Sequence, residues 1–434
     1  MNILKKINNN DYYNKLLVSL FFVSIAKIIA FSKEIVLALK YGTNLYLESY
    51  LFLFNVFNQF GGIFLYAITF CIVPILSNSK KKDLGNLQNI TLTFLFRFGL
   101  YISIFLFLFF YFGLTNNVFY LSEEIKNLCL KNYAYFSLIF PFWILTFVLT
   151  AFLISKNNQV GSIYEAIPSL TTLMFVIYFF NDIEPLIFGL LVGISLQLIV
   201  LYIQNKKSLS VKSTFSTKLN IFDFKKSFYT VLFIQFLMSL HYLIDHFLVS
   251  SFPDKALAQF SYAHKTLSFF LTFGSLVISR ALLPLFSKSE KKFDIIDKVK
   301  TCLVFFTLFC VPLYFNSDFI IKILFERGEF LNSDTQVVSS VFKIFILIIP
   351  FFMSYIFLVT YLFSKQNYKK IIEFCFIFIL LKSLVVFSLF NQMSLEAIAI
   401  SNLVPSIIGF IYLYISIKKY ERDNLNPFKT EKNN

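Results

Sequence analysis

The stretch YFSLIFPFWILTFVLTAFLI, Tyr135 to Ile154, is uncharged over twenty residues. Wound as a helix it rises about 30 Å, the thickness of the hydrocarbon core of a bilayer. Similar runs recur from Leu16 to Ile417 with few charges between them. They predict an all-α, polytopic membrane protein of about twelve transmembrane helices. The spans are 14–40, 46–76, 88–113, 128–154, 160–180, 185–203, 228–251, 256–286, 301–316, 336–363, 371–390 and 396–417. Transmembrane β-strands would alternate apolar and polar residues, and these runs do not.

Composition agrees. Of 434 residues, 57% are apolar and 15% charged, against about 25% charged in soluble domains. Mean hydropathy is +0.72. No soluble fold of this size could cover so much apolar surface. The 61 Phe and 24 Tyr, beside abundant Ile, Lys and Asn, read as the mark of AT-rich coding rather than of chemistry. The five cysteines, Cys71, Cys129, Cys302, Cys310 and Cys375, have no metal-site or disulfide spacing. The apolar run after the polar start contains Lys27 and Lys33 and has no small-residue cleavage site, so no removable signal peptide is expected.

The net charge of +15 suggests nucleic acid, but its placement excludes that partner. With the N-terminus inside, the inner segments hold 26 Lys or Arg and the outer connections six: Lys40, Lys126, Lys131, Lys255, Lys322 and Arg327. This asymmetry places both termini in the cytoplasm. The longest inner loop, 204–227, reads as a basic linker between an N-lobe (1–203, spans one to six) and a C-lobe (228–417, spans seven to twelve). A cytoplasmic tail, 418–434, follows. VPILSNSKKK (Val73 to Lys82) and LPLFSKSEKK (Leu283 to Lys292) repeat Pro, Ser, Ser, Lys and Lys 210 residues apart. That repeat points to two parallel six-helix lobes with a central cleft, a transporter architecture.

Seven basic residues fall inside spans: Lys27, Lys33, Arg97, Lys265, Arg280, Lys343 and Lys382. A charge at mid-membrane costs about 2.5–3.5 kcal/mol, so such groups turn toward a cavity or a partner. Arg97, Arg280 and Lys343 lie near span ends, within reach of the interface. Acids inside or at the edge of spans are Glu34, Glu48, Glu165, Asp245, Glu373 and Glu396, the last two at the interface. Lys27 and Glu34 share a helix face, as do His241 and Asp245. The His241–Asp245 pair is either a proton or cation site or a polar contact that packs two helices. The basic excess favours an anionic cargo carrying phosphate or diphosphate. No P-loop, HExxH or nucleophile–base set occurs, so neither an ATP-driven engine, nor a metal, nor a cofactor, nor chemistry on the cargo is expected.

Three stretches resemble the MurJ/MviN family. AKIIAFSKEIVLALKYG (Ala26 to Gly42), with Glu48 and IVPILS (Ile72 to Ser77), is similar to the family's opening. FSYAHKTLSFFLTFGSLVISRALLPLFSK (Phe260 to Lys288) is similar to its eighth span. LFERGEF (Leu324 to Phe330) is similar to its LFxRGxF loop. The resemblance implies the multidrug/oligosaccharidyl-lipid/polysaccharide exporter superfamily. It implies a flippase for a polyprenyl-diphosphate-linked glycan, lipid II above all, working by alternating access in the bacterial inner membrane among its lipids.

The resemblance also implies substrate-binding residues. Lys27 and Lys33 match two first-span arginines of the family, Lys265 an eighth-span arginine, and Glu34 and Glu48 aspartates. Lysine keeps the charge and loses the bidentate fork. Gly61 and Gly62 fall where the family has an arginine pair. Two further helices follow the twelfth in the family, whereas this sequence ends 17 residues past Ile417. A Wzx-type flippase for another lipid-linked oligosaccharide, or a cation-coupled multidrug exporter, is the alternative. Asp245 matches a span-seven aspartate of a sodium site, and Lys382 falls at a span-eleven ligand position. The resemblance therefore implies an Asp245–Lys382 ion pair in place of sodium.

Overall fold

The computed structural model describes residues 2–78, 84–156, 159–179, 182–209, 221–288, 295–365, 367–389 and 394–425. Among them all regular structure is helical. The helices are α1 (Asn2–Tyr41), α2 (Leu45–Asn78), α3 (Leu84–Thr115), α4 (Glu123–Ser155), α5 (Ile167–Tyr178), α6 (Glu184–Leu209) and α7 (Ile221–Val249). They continue as α8 (Ala256–Lys288), α9 (Ile295–Phe315), α10 (Ser317–Phe325), α11 (Asn332–Ser364), α12 (Tyr368–Ser388) and α13 (Leu395–Leu425). Over the described residues, each of the twelve predicted spans falls mostly on helix. Among the described residues, eight helices are long and apolar enough to cross a bilayer, and α9 with α10 would make a ninth.

Two spans differ from simple rods. The fifth begins as a 3-10 helix, Gln159–Ala166, and becomes α-helical only at α5, whose first turn contains Pro168. Proline suits that position because its missing N–H has no acceptor there. The twelve residues of α5 rise only about 18 Å. With the eight of the 3-10 segment the rise reaches about 34 Å, enough for a bilayer. The ninth span ends at Phe315, and α10 leaves it at 67°. Asp318 in the first turn of α10 and Lys322 in its last suit the helix dipole. At nine residues, α10 is too short to register as a span.

The chain forms two compact units, Met1–Ser261 with Phe325–Asp334, and Tyr262–Leu324 with Thr335–Asn434. The 204–227 segment expected as a linker runs from α6 to α7, and its residues 210–220 lie outside the described residues, as do 79–83 and 289–294 of the repeated exit turns.

In the first unit, α2 packs along α4 and α7, and α4 also carries α3 and α6. The phenylalanines build this core. Phe57 stacks on Phe110 at 5.1 Å and on Phe136 at 5.4 Å, and Phe52 meets Phe119 edge-on at 5.3 Å. Such pairs add about 0.5–1.5 kcal/mol each beyond area burial. α5 and α6 approach so closely that Gly193 lies against the Pro168 backbone and Gly189 against Thr172. Small residues four apart allow this approach.

In the second unit, α12 packs on α13. Lys343 is not a lone snorkelling cation: its Nζ meets Asp318 Oδ2 at 2.7 Å. Glu373, at the start of α12, accepts from Lys370 at 2.7 Å and from the Tyr412 hydroxyl at 2.6 Å. Glu396 accepts from Ser340 at 2.6 Å.

Candidate functional site

α1 carries Lys27, Lys33 and Glu34 through the apolar run that follows its polar start. Lys27 is half-buried, whereas Lys33 and Glu34 are only 5% and 7% exposed. Lys33 Nζ lies 3.0 Å from Glu34 Oε1 and 5.1 Å from the centre of the Phe54 ring on α2. An ammonium so far from water needs both contacts: the carboxylate neutralises it, and the ring face adds about 2 kcal/mol once desolvated. The sequence singled out the two charges but not Phe54, which was hidden among 61 phenylalanines.

Glu48, on the first turn of α2, is buried. Its carboxylate accepts from the backbone N–H of Ala258 at 3.2 Å and from those of Lys255 and Leu257. These are the first free donors of α8, and a carboxylate there meets both the orphan N–H groups and the positive end of the dipole. Lys255 adopts a φ of +80°, rare for a residue with a side chain. Glu48 holds that strained turn in place. Asn55, two turns further along α2, donates to Ser261 Oγ at 3.1 Å.

The LFERGEF loop closes on the same region of the first unit. Gly328 takes a positive φ, +62°, and Gly42 takes +55°. The Glu329 N–H donates to the Leu39 carbonyl at 3.1 Å. A Cβ on Gly328 would lie 2.1 Å from Leu39 O, and one on Gly42 would lie 2.2 Å from Glu329 O. The buried Asp334 gathers Thr43 Oγ1 at 3.2 Å, Gln259 Nε2 at 2.9 Å and the Leu331 N–H at 3.1 Å. Nothing in the sequence had marked Asp334.

α7 supplies His241 and Asp245. His241 is half-buried and its Nδ1 pairs with the Met238 carbonyl at 2.7 Å. Asp245 is buried, and the Tyr242 hydroxyl lies in the electrostatic field of both Asp245 and Glu34. His246, which the sequence reading passed over, is fully buried. Its Nε2 bonds the Phe52 carbonyl at 2.9 Å and its ring stacks on Phe52 at 5.4 Å.

The second unit holds the other two candidates. Lys265 is half-buried on α8. Lys382 is completely buried on α12, and its Nζ donates to Asn402 Oδ1 on α13 at 2.6 Å. Asn402 was invisible as a partner because the helical register between two spans is not written in either one.

Fold and site together define a multi-pass membrane protein with ionised groups inside its helices. The profile of the family described as "Lipid II flippase MurJ" matches residues 37–431, and the chain belongs to that family. A probable lipid II flippase MurJ from Rhizobium tropici is 26% identical over 184 residues, which are 41% of this chain and 34% of the relative. The chain thus aligns with about a third of that relative's length. Among solved structures, lipid II flippase MurJ in an inward closed conformation superposes with a TM-score of 0.78 at 21% identity, covering 93% of this chain and 87% of that one. An inward-facing multidrug resistance MATE family transporter gives 0.72 at 11% identity, covering 94% and 99%. A Vibrio cholerae MATE transporter gives 0.68 at 12%, covering 95% and 98%. These likenesses establish the fold.

Proposed function

We propose that this protein flips a polyprenyl-diphosphate-linked glycan, lipid II, from the inner to the outer leaflet by alternating access. The observation that carries the reading is the buried Lys33 on α1, neutralised by Glu34 alone among the charges beside it in the sequence. A family of lipid II flippases offers a use for such a cation, because the cargo's diphosphate is an anion that must leave water. Lys27, Lys33 and Lys265 serve that diphosphate. Membrane potential assists: each negative charge moved outward gains about 2.3 kcal/mol per 100 mV. The protein resides in the bacterial inner membrane with both termini in the cytoplasm.

Lys382 supplies a fixed cation in place of sodium, as the pairing with Asp245 that the resemblance implies requires, and its Nζ donates to Asn402 Oδ1. Transport therefore needs no sodium, and flipping rates should be equal in sodium and potassium buffers. A sodium requirement would overturn this part of the reading.

The test of the whole is rescue of a strain depleted of its lipid II flippase. The wild-type chain restores growth, and Lys27→Ala and Lys265→Ala, at normal protein level, do not. Failure of the wild-type chain to rescue while a different lipid-linked oligosaccharide is flipped would assign the other cargo.

A further inference from the structure

Tyr50 lies on α2, completely buried, and its hydroxyl has no hydrogen-bond partner among the described residues. A buried hydroxyl without a partner is costly, and phenylalanine would fill the same space without that cost. The next aromatic positions of α2, Phe52, Phe54 and Phe57, are all phenylalanine. The retained oxygen therefore calls for a use.

Its surroundings indicate one. The Tyr50 ring stacks on Phe54 at 5.3 Å and tilts against Phe136 at 6.1 Å. Phe54 is the ring that lies under Lys33 Nζ at 5.1 Å. Lys33 and Glu34 are the charged groups whose fields reach the Tyr50 hydroxyl. An orphan donor thus shares the Phe54 ring with a buried cation whose partner, Glu34, is an acceptor of the same kind as a phosphate oxygen. Lysine alone is a point charge and does not orient a phosphate. A hydroxyl donating to the same anion adds direction, through a short charge-assisted hydrogen bond.

We infer that Tyr50 is a second anion donor of the site, bonding the phosphate of the cargo when Glu34 releases Lys33 to it. The inference rests on the diphosphate reading given above. Loss of one hydrogen bond to a charged group corresponds to about a ten- to hundredfold loss of affinity.

The experiment uses the purified full-length protein in detergent, with farnesyl diphosphate as the probe and farnesol as the uncharged control. Binding and thermal unfolding are measured for wild type, Tyr50→Phe and Lys33→Met. Tyr50→Phe should unfold at a higher temperature than wild type, since the orphan hydroxyl is gone, yet bind the diphosphate at least tenfold more weakly. Farnesol binding should not change. Affinity equal to wild type in Tyr50→Phe, with Lys33→Met impaired, would overturn the role of Tyr50 and leave the diphosphate reading standing. A lower unfolding temperature in Tyr50→Phe would also overturn it, because the hydroxyl would then be holding the fold. Equal binding of farnesyl diphosphate and farnesol by wild type would overturn the diphosphate reading together with the inference.

Discussion

The Lys33–Glu34 pair can be taken apart so that its structural and transport roles separate. Both groups are more than nine-tenths buried and 3.0 Å apart. Lys33→Met keeps the length of the side chain and its packing on Phe54 but strands the Glu34 carboxylate in an apolar interior. Breaking a buried pair from one side costs about 3–5 kcal/mol. Loss of the cation–π contact adds to this, offset in part by the sulfur–aromatic contact of methionine. Glu34→Gln strands the ammonium instead and should destabilise on the same scale. The double variant removes both charges, so it should recover most of the stability, leaving a coupling energy of about 3 kcal/mol in the cycle. Equilibrium unfolding in mixed micelles, followed by circular dichroism, measures all four proteins. Rescue of the flippase-depleted strain is scored in parallel. The double variant should fold like wild type and fail to rescue. A coupling energy below about 0.5 kcal/mol would refute the claim that the pair is held as a desolvated unit. Rescue by the double variant would refute the need for the cation in transport.

Gly193→Ala would place a Cβ 2.4 Å from Pro168 Cα and should destabilise by about 1–3 kcal/mol, whereas Gly62→Ala, with nothing within 4 Å, should be neutral or stabilise by up to about 1 kcal/mol. Equal unfolding temperatures for these two would contradict the close α5–α6 packing. Glu48→Ala removes the acceptor for three N–H groups at the start of α8 and should cost about 1–3 kcal/mol. Hydrogen exchange at the Ala258 amide should quicken, and unchanged protection would contradict the capping role. Gly328→Ala meets both a φ of +62° and the Leu39 carbonyl, so the Glu329 amide should lose its protection. Retained protection would show that the loop does not depend on that contact.

The fold was legible because hydropathy is an additive property: twenty apolar residues announce a span whatever they pack against. What hydropathy does not report is backbone geometry. The change from 3-10 to α-helix before Pro168, and the 67° bend after Phe315, are changes of backbone geometry inside or at the end of predicted spans. The ionised candidates were legible for the same reason as the spans, since a lysine in an apolar run stands out. Their partners were not. Helical periodicity put Glu34 on the same face as Lys27, seven residues away, but the ion pair forms with Lys33, next to it in the chain. Phe54, Asn402 and Asp334 take their roles from contacts between elements, and composition gave them no mark. The aromatic abundance, read as coding bias, includes the ring on which the buried ammonium rests.

The joint between the α1 end and the LFERGEF loop is made of main chain on both sides. Each glycine leaves room for the other segment's carbonyl, and the bond across them runs from one peptide group to another. Neither partner titrates, and neither carries a net charge that salt could screen. The joint is therefore indifferent to pH and to ionic strength. Gly42 and Gly328 are each fixed by the opposite segment: a side chain at Gly42 would meet the Glu329 carbonyl, and one at Gly328 the Leu39 carbonyl.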